Sequence, residues 1–274
     1  MKIKKLVAAS AAAALVAVVT GMSPAAALDR RPGAGAQQAR IIGGSEVEEG
    51  DFPGTAAISA GVGPSTEFCT GTLIAPRWVV TAAHCVFPTD DGHATVHVGS
   101  TDRTSGEVAH AVAMYRHPDY EGPGPFDVGL IELDHAVDVE PAKFGSLPTA
   151  FPHSYPVIVT GWGRVCNGDE PECTADPIYL KYLKTGVETP ANCRPAEGDY
   201  QSSVDLCIAS KPRATPCFGD SGGPVWLFQQ ERWVLIGSIS RGSVPDCGDS
   251  DTLATNLTDP DISGWIEYHL HGDS

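Results

Sequence analysis

The stretch TPCFGDSGGP, from Thr215 to Pro224, places an aspartate, a serine and three glycines directly after a cysteine. Glycine-rich runs are often simple turns, because glycine adopts backbone conformations that other residues avoid. A serine between glycines is also typical of a hydroxyl exposed for chemistry, with bare backbone N–H groups beside it. Ser221 is therefore a candidate nucleophile, and the rest of the sequence must supply a base that activates it.

Two segments upstream of Ser221 contain the groups that such a nucleophile needs. In VVTAAHC (79–85), His84 stands at the end of an apolar strand pattern, and in PFDVGLIEL (125–133), Asp127 immediately precedes another. Taken alone, the histidine could be structural and the aspartate could belong to a turn. Together with Ser221 they are the parts of a Ser-His-Asp triad, which can assemble from distant positions in a chain.

Short segments rich in valine and isoleucine recur along the chain between glycine, proline, serine and aspartate. ATVHVGS (94–100), HSYPVIVTGWG (153–163) and RWVLIGSIS (232–240) are typical of β-strands bounded by turns. Near the C-terminus, DPDISGWIEYHL (259–270) repeats apolar residues at helical spacing after acidic residues that suit a helix start. We therefore predict an all-β body that ends in one α-helix.

Five motifs in a fixed order resemble those of a known family. They are IIGG at 41–44, TAAHC at 81–85, DVGL at 127–130, TGWG at 160–163 and GDSGGP at 219–224. With them the chain resembles the trypsin/chymotrypsin-type serine endopeptidases of the S1 family over essentially all of 41–274. The resemblance implies a protease domain of two antiparallel six-stranded β-barrels, divided near residue 150, with the active site between them and a C-terminal α-helix.

The resemblance also implies a role for each candidate residue. Ser221 would attack the scissile carbonyl group, His84 would act as general base and then general acid, and Asp127 would orient and stabilise the imidazole. The backbone N–H groups of Gly219 and Ser221 would form the oxyanion hole. Ser240 would hydrogen bond to the triad aspartate. These roles make the chain a secreted serine endopeptidase that acts on polypeptide substrates.

The first forty residues have the pattern of a secretion signal followed by a propeptide. Residues 1–27 combine three lysines, an alanine-rich apolar run and a small-residue end, which is typical of a signal peptide, although a membrane anchor is the alternative. The resemblance implies that cleavage after Arg40 frees the amino group of Ile41, which would pair with Asp220. Residues 28–40 would then be a propeptide and the secreted form would be a zymogen.

Charge and cysteine content agree with an extracellular protein. The chain carries a net charge of −16, with 18 basic and 34 acidic residues, which disfavours nucleic acid and anionic membranes as partners. Eight cysteines without a CxxC pair indicate disulfides rather than zinc ligands. By resemblance to the family, three pairs are implied: Cys69–Cys85, Cys193–Cys207 and Cys217–Cys247. The remaining Cys166 and Cys173 are expected to pair with each other.

Substrate specificity is where the sequence departs from the trypsin pattern. Thr215 occupies the pocket-floor position, where trypsin-like enzymes carry an aspartate that pairs with lysine or arginine. Together with Gly242, which leaves the pocket mouth open, it predicts a preference for uncharged apolar or aromatic side chains. Arg241 replaces a residue that is usually aromatic and would contact the substrate backbone. Preference for lysine or arginine stays possible if Asp249 or Asp251 points into the pocket.

Two other functions fit parts of the pattern. A binding protein on the protease fold would be expected to lack a triad member, and an esterase with a GxSxG motif would have the triad order Ser–Asp–His rather than His–Asp–Ser. We expect a monomer with no cofactor and no required metal, and we expect an activating protease and protein inhibitors among its partners. The remaining histidines, such as His93, His97 and His117, are expected on the surface.

Overall fold

A computed structural model describes residues 41–60, 67–86, 94–147, 154–174, 177–195, 200–242 and 246–272. The predicted signal peptide (1–27) and propeptide (28–40), including Arg40, lie outside these ranges, as does His93. In the described ranges, no helix has both the length and the apolar character required to cross a membrane.

The first barrel is built from strands in the first half of the chain. After the short strand β1 (Ser45–Glu46) come its strands β2 (Thr55–Ala60), β3 (Glu67–Ala75), β4 (Trp78–Thr81), β5 (Ala94–Val98), β6 (Glu107–Arg116) and β7 (Gly129–Leu133). Strands β2 to β7 close into an antiparallel barrel in the order β2-β3-β4-β7-β6-β5. In β5 the first, third and fifth side chains are buried and the two between them are half-buried, as the two-residue period of a strand requires. Aliphatic side chains such as Ile58, Leu73 and Ile131 fill the interior.

The second barrel follows the same plan. Its strands are β8 (Tyr155–Gly161), β9 (Lys181–Glu188), β10 (Asp205–Ile208), β11 (Pro224–Gln229), β12 (Arg232–Arg241) and β13 (Thr252–Asn256). They follow the order β8-β9-β10-β13-β12-β11, with β11 paired back to β8, and β1 extends the sheet beside β9. Val157, Leu206 and Ile236 are among the side chains of its core.

Two helices are described, α1 (Pro171–Thr174) and α2 (Pro260–His271). The side chain of Asp259 caps α2 by accepting hydrogen bonds from the backbone N–H groups of Asp261 and Ile262, at 3.0 and 3.3 Å. Ile262 and Ile266 are buried one turn apart, which is the apolar face that the sequence pattern predicted. The predicted fold of two six-stranded barrels and a C-terminal helix is therefore confirmed.

His117 corrects the expectation that it lies on the surface. Only 4 % of it is exposed, and its ring lies 5.0 Å from Phe126 and 5.1 Å from Trp265, measured between ring centroids. Burial lowers the pKa of His117 against the opposing effect of nearby carboxylates, of which Asp119 has the largest effect. A histidine is amphipathic enough to pack among aromatic rings, so its residue type alone did not predict its environment.

All four expected disulfides are present: Cys69–Cys85, Cys166–Cys173, Cys193–Cys207 and Cys217–Cys247. Cys69–Cys85 ties β3 to the short 3-10 turn (Ala83–Cys85) that carries His84. Cys217–Cys247 joins the loop before Ser221 to the loop that precedes β13. Two of the cross-links therefore restrain loops that surround the candidate residues.

Candidate functional site

The candidate residues reach one cleft because each lies in a loop at the end of a strand. His84 follows β4 and Asp127 precedes β7, both in the first barrel, whereas Ser221 precedes β11 in the second. All three line a cavity of about 680 Å³, together with Ser240 and other residues of both barrels. The structure thus brings together side chains that are up to 137 positions apart in the sequence.

His84 and Asp127 are joined by two hydrogen bonds. Nδ1 of His84 lies 2.7 Å from Oδ2 of Asp127, and the backbone N–H of His84 donates to Oδ1 at 2.9 Å. The Ser240 hydroxyl also donates to Oδ2 at 2.7 Å. Burial by itself raises the pKa of Asp127, but hydrogen bonds from His84 and Ser240 outweigh it, so the pKa lies below its ordinary value. A charged carboxylate therefore holds the imidazole by Nδ1 and leaves Nε2 for chemistry.

Ser221 is held through its backbone rather than through its side chain. Its carbonyl oxygen accepts a hydrogen bond from the backbone N–H of Thr70 at 2.8 Å. Among the described residues, the hydroxyl makes no hydrogen bond to His84 or to any other group, although both side chains line the same cavity. In unliganded enzymes such bonds are often long and tighten only when substrate is bound.

Two unused backbone donors lie beside Ser221. No described residue accepts a hydrogen bond from the N–H of Gly219 or from that of Ser221, and the Gly219 carbonyl is fixed by the Thr70 hydroxyl at 2.9 Å. Gly219 has a φ of 96°, and a Cβ at this position would lie 3.1 Å from the Cα of Gly163. Glycine is required here, because a side chain would strain a backbone with this φ and crowd Gly163.

Asp220 is a fully buried carboxylate whose partners are all backbone groups. Gly163 N–H donates to Oδ1 at 2.7 Å and Cys217 N–H donates to Oδ2 at 2.9 Å. Burial raises the pKa of Asp220 to about 7, although both hydrogen bonds lower it. A Cβ on Gly161 or on Gly163 would come within 2.5 Å of this carboxyl group, which explains both glycines of the TGWG motif. No described basic side chain pairs with Asp220.

The segment that begins at Ile41 packs against the loop that carries Asp220, since Ile42 contacts Cys217, whose N–H binds the Asp220 carboxylate. Ile41 is 1 % exposed and belongs to the core of the second barrel. The carbonyl of Ile42 accepts a hydrogen bond from the N–H of Thr215 at 3.0 Å, five residues before Asp220. Arg40 lies outside the described residues, so the cleavage site itself stays a sequence prediction.

The predicted pocket floor contains a hydroxyl cluster. Thr215 is fully buried, its hydroxyl donates to the Pro216 carbonyl at 2.9 Å, and it lies 3.5 Å from the hydroxyl of Thr252. Thr252 lines the cavity, and a Cβ on Gly242 would lie 3.4 Å from its hydroxyl. Sequence reasoning missed Thr252, because its place opposite Gly242 depends on the register in which Arg241 pairs with Leu253. No local pattern marks it, because all five residues of β13 are buried and none stands out as facing the pocket.

The two acidic candidates of the pocket wall differ in environment. Asp251 lines the cavity, but its carboxylate accepts hydrogen bonds from the backbone N–H groups of Arg194 and Ser210, at 2.8 and 3.1 Å. Asp249 is exposed and does not line the cavity.

Arg241 is held in the cleft by an ion pair that the sequence did not predict. Its guanidinium donates to both carboxylate oxygens of buried Asp205, at 2.8 and 3.2 Å, and to the Ser240 hydroxyl at 3.3 Å. The Ser240 hydroxyl thus accepts a hydrogen bond from Arg241 and donates its own hydrogen to Asp127. The position that is usually aromatic in the resembled family therefore carries a fixed cation.

Two groups of possible metal-ligand atoms occur among the described residues. They are Cys69 with His84 and Cys85, and Cys193 with Cys207 and Asp251. In both groups the two cysteines form a disulfide, so their sulfur atoms are not thiolates that could bind a metal ion.

Comparison with known proteins agrees with this geometry. The trypsin family model matches residues 41–266. Serine protease SP24D of Anopheles gambiae is 33 % identical over 222 residues, which cover 77 % of this chain and 74 % of that protein. A trypsin of Saccharopolyspora erythraea is 31 % identical over 208 residues, covering 74 % and 86 %. Serine protease 28 of Mus musculus is 26 % identical over 249 residues, covering 84 % and 89 %.

Proposed function

Because the chain belongs to the trypsin family and is a serine-type endopeptidase with polypeptide substrates, we propose that His84, Asp127 and Ser221 are its catalytic triad. The observation that carries the proposal is the buried Asp127 carboxylate bound to Nδ1 of His84, in a cavity that Ser221 also lines. Ser240 is the residue that supports Asp127 from the second barrel.

The proposed reaction proceeds in two acyl-transfer steps. The Ser221 oxygen attacks the scissile carbonyl carbon while Nε2 of His84 takes its proton, and the N–H groups of Gly219 and Ser221 stabilise the oxyanion. When the C–N bond breaks, His84 donates that proton to the leaving amine and an acyl-enzyme remains. Water then attacks the acyl group, again with His84 as base, and Ser221 regains its proton as the acid product leaves. The charge on Asp127 stabilises the imidazolium in both steps.

The enzyme is proposed to be made as a zymogen. Cleavage after Arg40 would create an ammonium group on Ile41, whose side chain is already buried in the second barrel. A buried carboxylate with only backbone N–H partners favours a nearby cation strongly, so this ammonium would pair with Asp220. The pair would fix the turn that exposes Ser221 and the donors beside it.

The proposed substrate preference is for an uncharged, apolar or aromatic side chain before the scissile bond. Thr252 lines the cavity with a hydroxyl rather than a carboxylate, and the buried Thr215 next to it is also uncharged. Gly242 adds no side chain at the entrance. The backbone bonds of Asp251 favour this preference over cleavage after lysine or arginine. The sequence alternative, in which Asp249 or Asp251 binds a basic side chain, predicts that the zymogen processes itself at Arg40.

The sequence further supports secretion through the signal peptide at 1–27, a propeptide at 28–40 and a protease domain at 41–274, with a monomer as the default expectation. A neutral pocket would not cut after Arg40, so a separate activating protease that recognises basic residues is proposed. Protein inhibitors that present a segment to the same cleft are possible partners.

Labelling with a fluorophosphonate tests the triad directly. We expect the processed protein to carry one adduct on Ser221, and we expect the unprocessed and the denatured protein to carry none. Ser221→Ala should lower kcat by roughly six orders of magnitude, because triad members act as a unit. A folded, processed protein that stays unlabelled and cleaves no peptide of a diverse library would contradict the proposal.

A further inference from the structure

Two arginines beside the oxyanion donors are stacked on aromatic rings. The guanidinium carbon of Arg103 lies 4.9 Å from the ring centroid of Phe68, and that of Arg164 lies 5.1 Å from the ring centroid of Phe218. Stacking uses the face of a guanidinium and leaves its N–H edges for other partners. The chain has a net charge of −16, so two neighbouring cations stand out as a local exception to its acidic character.

Both aromatic rings adjoin Gly219. Phe218 precedes it in the chain, and the Phe218 carbonyl accepts a hydrogen bond from the backbone N–H of Arg164 at 2.7 Å. Cδ1 of Phe68 lies 3.6 Å from where a Cβ on Gly219 would be. The two cation–aromatic pairs therefore flank the donor that would bind the oxyanion.

The two guanidinium groups and Phe68 lie outside the cavity that contains Ser221, whereas Phe218 lines it. The cavity extends from Ser221 to Gly242 and Thr252, and it would hold the acyl half of the substrate. Phe68, Arg103 and Arg164 do not line that cavity. A polypeptide that crosses Ser221 with its acyl half in the cavity would leave it past Gly219, next to which Phe68 lies.

The N–H edges of both guanidinium groups are open to a ligand. Among the described residues, no carboxylate forms a salt bridge with Arg103 or Arg164. Arg103 donates from Nε to the Pro177 carbonyl at 2.9 Å, which leaves its terminal nitrogens, and the Arg164 side chain donates to no described group. The nearest acidic neighbour in sequence, Asp102, accepts bonds from the N–H and hydroxyl of Thr104. These bonds lower the pKa of Asp102, and the charge of Arg103 adds to the effect, although the two side chains form no salt bridge.

We propose that Arg103 and Arg164 form a cationic subsite for the segment that follows the scissile bond, and that the enzyme prefers acidic residues there. The inference rests on the proposed triad and extends it to the substrate class. Each guanidinium presents two parallel N–H donors that match a carboxylate, and the aromatic rings hold these donors in place. Basic residues at the same positions would be repelled.

Three internally quenched peptides test the preference. They share one acyl half and differ only in the two residues after the scissile bond, which are Glu-Glu, Gln-Gln or Lys-Lys. We expect kcat/KM to be about tenfold higher for Glu-Glu than for Lys-Lys at low ionic strength. Exposed ion pairs contribute modestly, but here the arginines attract the glutamates and also repel the lysines. The ratio should approach one in about 1 M salt, where screening is nearly complete.

Variants assign the effect to residues. Arg164→Gln and Arg103→Gln should each reduce the Glu-Glu to Lys-Lys ratio about threefold, and the double variant should bring it close to one. Arg164→Lys should lower the Glu-Glu to Lys-Lys ratio less than Arg164→Gln does, because lysine keeps the positive charge but loses the paired N–H donors of the guanidinium. The matched control is Arg232→Gln, an exposed arginine at the start of β12 with the same change in net charge, which should leave the ratio unchanged. A ratio taken within one preparation does not depend on the fraction of folded enzyme.

An anilide substrate with the same acyl half distinguishes failure of the cationic subsite from failure of the proposed triad, because it has no residues after the scissile bond. If the anilide is hydrolysed and the Glu-Glu to Lys-Lys ratio is one, the cationic subsite is refuted and the triad stands. If the ratio is high but unchanged in the double variant, the assignment to Arg103 and Arg164 is wrong. If neither anilide nor peptides are cleaved by processed protein, the proposed function fails and the inference fails with it.

Discussion

Release of the Ile41 amino group should change how stability depends on pH, and Asp220 sets the size of the change. In the uncleaved chain, burial raises the pKa of Asp220 from 3.8 to about 7. Between pH 3.8 and about 7, the Asp220 carboxyl group is therefore protonated in the folded state and ionised in the unfolded state. Stability from this group is complete below pH 3.8 and is lost as the pH rises to 7. At about 1.4 kcal/mol per pKa unit, the loss at pH 8 is about 4 kcal/mol.

A cation paired with Asp220 should abolish this loss. With an ammonium on Ile41, the carboxylate stays charged in the folded state and its pKa falls toward or below the unfolded value. We therefore expect the processed chain to gain about 4 kcal/mol over the unprocessed chain at pH 8 and little at pH 4. This difference would make the turn around Ser221 more stable after cleavage.

Urea unfolding of four proteins measures the effect. Each carries Ser221→Ala to prevent digestion, with or without Asp220→Asn. Each is prepared either with residues 28–40 or as a fusion trimmed to begin at Ile41. The Asp220→Asn pair should show no processing-dependent gain at pH 8, because the amide cannot ionise. Equal pH dependence of the processed and unprocessed forms with Asp220 intact would refute the reasoning, since it would show that no ammonium reaches this carboxylate.

Three further outcomes are expected from single changes. Ser240→Ala should lower kcat/KM about tenfold with little change in KM, because Asp127 loses one hydrogen bond to its charged form; an unchanged kcat would contradict this support role. Thr252→Gly should deepen the pocket beside Thr215 and raise the ratio of kcat/KM for phenylalanine over valine before the scissile bond; a constant ratio would place the floor elsewhere. For His117, whose pKa burial lowers, stability should be full above pH 6.5 and fall as the pH drops below it, because the unfolded state binds the proton more readily. Urea midpoints at pH 5 and 7.5 should converge in His117→Gln.

Short, local patterns predicted the strands, the C-terminal helix and the candidate residues, and the family resemblance of five motifs implied the two barrels. The strand alternation, the helix at 259–270 and the glycines around Ser221 each depend on a few adjacent residues. In the TGWG motif the glycines are required because the Asp220 carboxyl group lies against them, so a packing constraint became visible in the sequence.

Features that depend on strand register or on loop packing could not be predicted in the same way. Thr252 reaches the pocket only through the pairing of β12 with β13. The ion pair of Arg241 joins it to Asp205, 36 positions earlier. Arg103 finds its aromatic partner 35 positions earlier, at Phe68. Charge and residue type could not predict these partners, because each pair is brought together by the tertiary fold and not by proximity in the sequence.

The support of Asp127 has a consequence for biosynthesis. Asp127 belongs to the first barrel, but the Ser240 hydroxyl that binds its carboxylate and the Thr255 hydroxyl that binds its carbonyl, at 2.8 Å, come from the last strands of the second. A chain still emerging from the ribosome, or arrested with one barrel folded, lacks both Ser221 and this support. The Asp127 carboxylate therefore gains its full set of partners only once the last strands of the second barrel have formed.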